Sequence, residues 1–94
     1  MEQKKIVPDE FSRIQEAVRG YLLENHLFTS DQSQLGNDAS LLEKGIIDST
    51  GILEIILFLE TEFGVSVQDS ELLPENFDSV NNIVRFVQRR TASQ

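Results

Sequence analysis

An all-α bundle is the fold this sequence predicts, and three observations carry the prediction. Apolar residues recur at helical spacing in three separate stretches, each long enough for several turns. Helix punctuation brackets the helical segments, with Asp or Ser ahead of them, Gly64 behind the second main helix and Pro74 behind the short one. No alternating pattern supports a sheet, although a short strand over Val65 to Val67 stays open. The expected architecture is a small four-helix bundle: three main helices, one short helix, and a long loop after the first.

Taken in order, residues 1–7 read as a polar, frayed tail. Pro8, Asp9 and Glu10 then open a helix, since proline is tolerated in the first turn and acidic residues favour that end. Phe11, Ile14, Val18 and Leu22 form its apolar stripe, flanked by Tyr21, and the helix should run to about Asn25 or Leu27. Between Phe28 and Ile47 the period is lost and turn formers dominate. Leu35, Leu41, Leu42, Ile46 and Ile47 are spaced through this loop, which implies that it is pinned to the core.

A second helix spans 49–63, with Ile52, Ile55, Ile56, Leu59 and Phe63 on its core face and Gly64 as its stop. Asp48 and Ser49 are both good N-cap types for it. Val65, Ser66 and Val67 form an extended connector. Asp69 or Ser70 then caps one helical turn through Leu73, stopped by Pro74. Asp78 or Ser79 caps a last helix whose inner face is Val80, Ile83, Val84 and Val87. Arg85, Arg89 and Arg90 lie in its C-terminal half, where cations suit the helix dipole, and Thr91 to Gln94 should fray. The 94 residues read as a single domain, ordered over about 9–90.

Composition removes several function classes. There is no cysteine, which rules out disulfides and thiolate metal sites, so a reactive thiol would have to come from a cofactor. No apolar run approaches the roughly 20 residues that span a bilayer, and no signal peptide is evident, so the cytoplasm is the expected compartment. Sixteen acidic residues against eight basic ones give a net charge of −8, the wrong sign for nucleic acid. That charge either attracts basic patches on partner proteins or simply keeps a small domain soluble. No calcium loop or zinc spacing appears, and no metal is expected.

The chemistry concentrates at Gly45 to Thr50. Ser49 stands at the mouth of an apolar helix, with backbone N–H groups behind it and the positive end of a helix dipole beside it. Those conditions suit a phosphate ester on its hydroxyl. Asp48-Ser49-Thr50 resembles the attachment core of the acyl carrier and peptidyl carrier protein family, which reads Asp-Ser and then a hydrophobic residue or threonine. The Gly-Ile-Ile lead-in (45–47), the Glu60 to Gly64 helix ending and the Asp78-Ser79-Val80 helix start also match counterparts in that family. The resemblance covers about residues 9–90.

The resemblance implies that Ser49 receives a covalent 4′-phosphopantetheine arm from coenzyme A, delivered by a phosphopantetheinyl transferase. The arm's thiol would then carry an acyl or aminoacyl group. Further implied partners are a loading ligase and downstream transferase or synthase enzymes; magnesium would belong to the transferase complex. Asp48 would position that metal or cap the helix. The chain itself would be a carrier and not an enzyme, with no catalytic residue, and nothing requires more than a monomer. In the family the helix after the serine is the main recognition surface. Its outward residues here are Thr50, Leu53, Glu54, Leu57 and Glu60, an apolar pair framed by carboxylates. Leu53 and Leu57 either form that surface or lie buried under the long loop. Ile46 and Ile47 either join it or line a space for cargo.

Departures from the pattern are informative. Housekeeping fatty-acid carriers usually read Asp-Ser-Leu-Asp, whereas this chain has Thr50 and Gly51, with Glu54 keeping the later acidic position. Gly51 is expected to remove a carboxylate from the docking face and to weaken the first turn by up to about 1 kcal/mol. The pattern therefore points to a freestanding carrier of a specialised pathway, loaded with an amino acid or a modified acyl group. Two other readings remain: an unmodified helical interaction module of the same fold, and a small hydrolase using Ser49 with His26. His26 is the only histidine, and no glycine elbow or oxyanion motif accompanies it; it reads as a helix-end residue partly in contact with solvent.

Overall fold

The computed structural model describes residues 10–92, and in this range the chain is helical without a strand. Helix α1 (Glu10–Leu22) buries Ile14, Val18 and Leu22. It runs straight into a π-helical turn, Leu23–Leu27, which closes on Phe28 in the left-handed region at φ 56°. The N–H groups of both Phe28 and Thr29 donate to the Leu23 carbonyl. The wider turn lets consecutive Leu22 and Leu23 both enter the core, which a regular helical stripe does not allow. Helical structure thus reaches Leu27, as the spacing predicts. The expected opening at Pro8 and Asp9 and the tails at 1–7 and 93–94 lie outside the described residues.

The loop after Phe28 is pinned to the core as expected: Leu35, Leu41 and Ile47 are buried, and Leu42 and Ile46 pack against them. Side chains of the neighbouring helices fasten it. From α1, Arg19 donates through Nη1 to the Leu35 carbonyl at 2.6 Å and to Asn37 Oδ1 at 2.7 Å. Its Nε and Nη2 hold Gln32 Oε1, at 3.0 and 2.9 Å. Asp78 accepts from Ser40 Oγ at 2.7 Å and from the Leu42 N–H at 2.9 Å. Asn81 donates its backbone N–H to the Asn37 carbonyl at 3.0 Å.

Helix α2 (Ser49–Phe63) has the expected bounds, with Asp48 as its cap and Gly64 closing it at φ 70°. Ile55, Ile56 and Leu59 are buried, and Ile52 and Phe63 are half-buried beside them. Val65 to Val67 is extended but pairs with no strand.

The next segment corrects the sequence expectation. A 3₁₀ turn covers Asp69–Glu71 with Gln68, not Asp69 or Ser70, at its cap position. Pro74 does not merely stop it but opens a single-turn helix α3 (Pro74–Phe77), where its missing N–H costs nothing. Phe77 is fully buried against Phe86, 5.1 Å between ring centroids.

Helix α4 (Val80–Ala92) is capped by Ser79, whose Oγ accepts from the Asn82 N–H at 3.1 Å, which frees Asp78 to hold the loop. Val80, Ile83, Val84 and Val87 face inward as expected, joined by Phe86. The helix continues through Thr91 and Ala92, where fraying was expected. Helix α4 packs on α1 and α3, and α3 touches α2, so the core lies between α1, α2 and α4.

Candidate functional site

Asp48 adopts an extended backbone, and its Oδ1 accepts the Gly51 N–H at 2.9 Å. It is therefore the N-cap, and of its two expected roles the structure shows the capping one. Ser49 becomes the first helical residue, and its side chain is exposed. Ser49 and Thr50 head the helix, where backbone N–H groups have no intrahelical acceptor and the dipole is positive. An oxyanion attached to Ser49 Oγ would sit against that end of the helix.

Gly51 is buried, and the reason is steric. A Cβ there would stand 2.8 Å from Ile47 Cβ and 3.6 Å from His26 Cε1. The position faces inward, so an aspartate in its place would not add a carboxylate to the outward face; the sequence expectation on that point is corrected. Ile47 is itself only 5% exposed, packed under the first turn of α2. It belongs to the floor beneath the serine and not to an outward docking patch, because the missing Gly51 side chain draws it in.

An open hollow of about 780 Å³ adjoins the serine, lined by His26, Ile46, Ile47, Asp48, Ser49 and Glu54 among others. His26 lies far from this segment in sequence, but the π-helical turn swings it against α2. Its Nε2 is buried 3.7 Å from Glu54 Oε1, beyond hydrogen-bond range, and has no hydrogen-bond partner. It thus faces Glu54 and makes no hydrogen bond to Ser49, so the geometry that a serine–histidine nucleophile needs is not assembled. The ring packs edge-on to Tyr21, 5.5 Å between centroids. Among the described residues, no group of three His, Asp or Glu is placed to hold a metal.

On the outward side of α2, Leu53 is 59% and Leu57 64% exposed, so neither is buried under the loop. Thr50 and Glu54 are exposed beside them. Glu60 differs: it is half-buried, and its Oε2 accepts the Val67 N–H at 3.2 Å. That carboxylate fastens the connector after α2, which withdraws it from the expected acidic rim. No described helix is long and apolar enough to cross a membrane.

The sequence brought His26 to the serine only in the hydrolase alternative and took Gly51 as outward-facing, whereas both lie in the lining beside Ser49. A glycine in the first turn of an otherwise strong helix was the one available signal, since it points to a close approach.

Comparison with known proteins bears on the same segment. No family model matches the chain. A protein named "Probable acyl carrier protein PigG", from a Serratia species, is 35% identical over 74 residues, covering 74% of this chain and 85% of that protein. The D-alanyl carrier protein of Lacticaseibacillus casei is 32% identical over 76 residues, covering 79% of this chain and 94% of its own length. The acyl carrier protein of Thermotoga maritima is 32% identical over 60 residues, covering 64% and 72%. With a matching bundle and relatives at this identity and coverage, the chain belongs to the family of freestanding acyl and D-alanyl carrier proteins.

Proposed function

We propose that Ser49 is the attachment point of 4′-phosphopantetheine, and that the chain carries acyl or aminoacyl thioesters between the enzymes of a specialised biosynthetic pathway. The observation that carries this reading is an exposed serine at the first position of α2, with the cap supplied by its neighbour Asp48. Because Asp48 does the capping, Ser49 Oγ is left for chemistry. The arm supplies the thiol that a chain without cysteine lacks.

In the loading step, Ser49 Oγ would form a P–O bond to the phosphorus that bears the pantetheine as the pyrophosphate P–O bond of coenzyme A breaks; adenosine 3′,5′-bisphosphate would leave, and the serine proton would pass to a base on the transferase. A phosphodiester on Ser49 Oγ would be favoured by the α2 N-terminus, where the dipole contributes about 0.3–1 kcal/mol. Thr50, Leu53, Glu54 and Leu57 form the docking face for the transferase, the loading ligase and the enzymes that take the cargo. A cytoplasmic monomer fits this role, with coenzyme A as donor and a charge of −8 opposing self-association. The names of the relatives, acyl carrier and D-alanyl carrier, support both cargo classes.

The test is the intact mass before and after coenzyme A with a broad-specificity phosphopantetheinyl transferase. We expect a gain of one phosphopantetheine mapped to Ser49 and none in Ser49→Ala. That variant should lose under about 0.5 kcal/mol of stability, since the cap is untouched. An unmodified parent chain, with the transferase active on a control carrier, would leave a docking module without the arm.

A further inference from the structure

We infer that the hollow between the end of α1 and the flank of α2 is a docking surface for a basic, apolar-anchored segment of a partner enzyme, with Phe28 in its lining. Phe28 is 81% exposed, the most exposed large apolar side chain among the described residues. Its backbone is left-handed at φ 56°, a conformation that glycine or asparagine adopts with less strain. The turn needs only its backbone, whose N–H donates to the Leu23 carbonyl. A phenyl ring here buries little and strains the chain, so glycine would serve the fold better.

The surroundings specify the occupant. The hollow holds about 730 Å³, and Tyr21 and Phe58 form part of its apolar wall, stacked 4.3 Å apart with ring planes 19° from parallel. Glu16, Glu24 and Glu62 stand around it, and among the described residues no lysine or arginine lines it. An aromatic and aliphatic surface whose charged lining residues are all carboxylates, set among Asn25, Thr29, Ser30 and Gln32, is complementary to an aliphatic or aromatic anchor flanked by arginine or lysine. A second copy of this acidic chain fits poorly, given its net charge of −8. This hollow shares no lining residue with the one at Ser49, so a partner seated here leaves the serine free.

The test uses the unmodified full chain, so its outcome is separate from that of the loading assay. Amide shifts would be followed on adding a synthetic helical peptide with a Phe/Leu stripe flanked by arginines. A scrambled peptide of the same composition serves as control. We expect saturable shifts centred on Tyr21, Asn25, Phe28, Thr29 and Phe58. Phe28→Gly should weaken binding by about tenfold or more while melting no lower than the parent. Glu24→Lys should weaken it about threefold and flatten its salt dependence, and Leu53→Ala should leave it unchanged. The proposal fails if the scrambled peptide binds equally well or the shifts centre on Leu53 and Leu57. Full affinity in Phe28→Gly, or shifts at Phe28 that depend on dilution and so reveal a second copy as occupant, would sink it too.

Discussion

Residues 29–42 and residues 43–51, the second stretch running into the first turn of α2, are held by different forces. The first half is fastened from distant parts of the chain: by the side chains of Arg19 in α1 and Asp78 just before α4, and by the backbone N–H of Asn81 within α4. In the second half, hydrogen bonds are local. Ile46 and Ile47 donate to the Leu41 carbonyl, and Gly51 donates to Asp48. What seats this half is shape, with Ile47 filling the space that Gly51 leaves open. Directional, charge-assisted bonds fix one conformation, whereas an apolar contact tolerates small shifts. The anchoring network stops short of Ser49.

The largest expected effect lies in the fastened half. Asp78→Ala removes the acceptor of the Ser40 hydroxyl and the Leu42 N–H, leaving a part-buried backbone donor unpaired. We expect a loss of about 2–4 kcal/mol in urea unfolding, with amide exchange at Leu41 and Leu42 accelerated first. A loss below about 1 kcal/mol would mean that the two halves are held equally loosely.

A smaller effect, opposite in sign to helix propensity, is expected in the second half. Alanine normally improves a helix by about 1 kcal/mol over glycine. At Gly51 its Cβ would stand 2.8 Å from Ile47 Cβ, and overpacking of that kind costs about 1–3 kcal/mol. Gly51→Ala should therefore lower stability by about 1–2 kcal/mol, read as a lower urea midpoint at unchanged slope. A gain instead would show that Ile47 and its loop give way freely, which would make the serine end softer still.

The contrast between the halves also marks what the sequence could disclose. Helix α2 was legible because its core stripe, its cap and Gly64 are all local signals that agree. The inner face of α4 was legible for the same reason. Arg19 carried no such signal, since on the pattern it reads as a solvated charge. Its partners lie 13 to 18 residues away and are backbone carbonyls or amides that any loop possesses. The π-helical turn was invisible because it answers a tertiary demand to bury both Leu22 and Leu23. That turn in turn places His26 against α2. At the site, the place of Ser49 at the head of α2 was readable, whereas the capping role of Asp48 and the exposure of Leu53 and Leu57 stood as one of two alternatives each until the fold decided them. The inward commitments of Ile47 and Glu60 were not, because each depends on a contact with a neighbour whose position only the fold defines.

The smallest effect probes how the end of α1 meets α2 beside the second half of the loop. Burial, and then the nearby Glu54 carboxylate, hold the Tyr21 phenol above its ordinary value of 10.0. The folded chain therefore keeps the phenol proton to higher pH than the unfolded chain does. Stability contributed by neutral Tyr21 is complete below about pH 10 and is lost as pH rises through the folded-state value. Tyr21→Phe keeps the ring stacked on Phe58 but removes the titrating group, so its unfolding free energy should fall less steeply above pH 10 than the parent's. Glu54→Gln, which removes only the lesser cause, should fall between the two. Identical profiles for all three chains would mean that Tyr21 is as hydrated as in the unfolded state, and that the α1–α2 seam is open at this point.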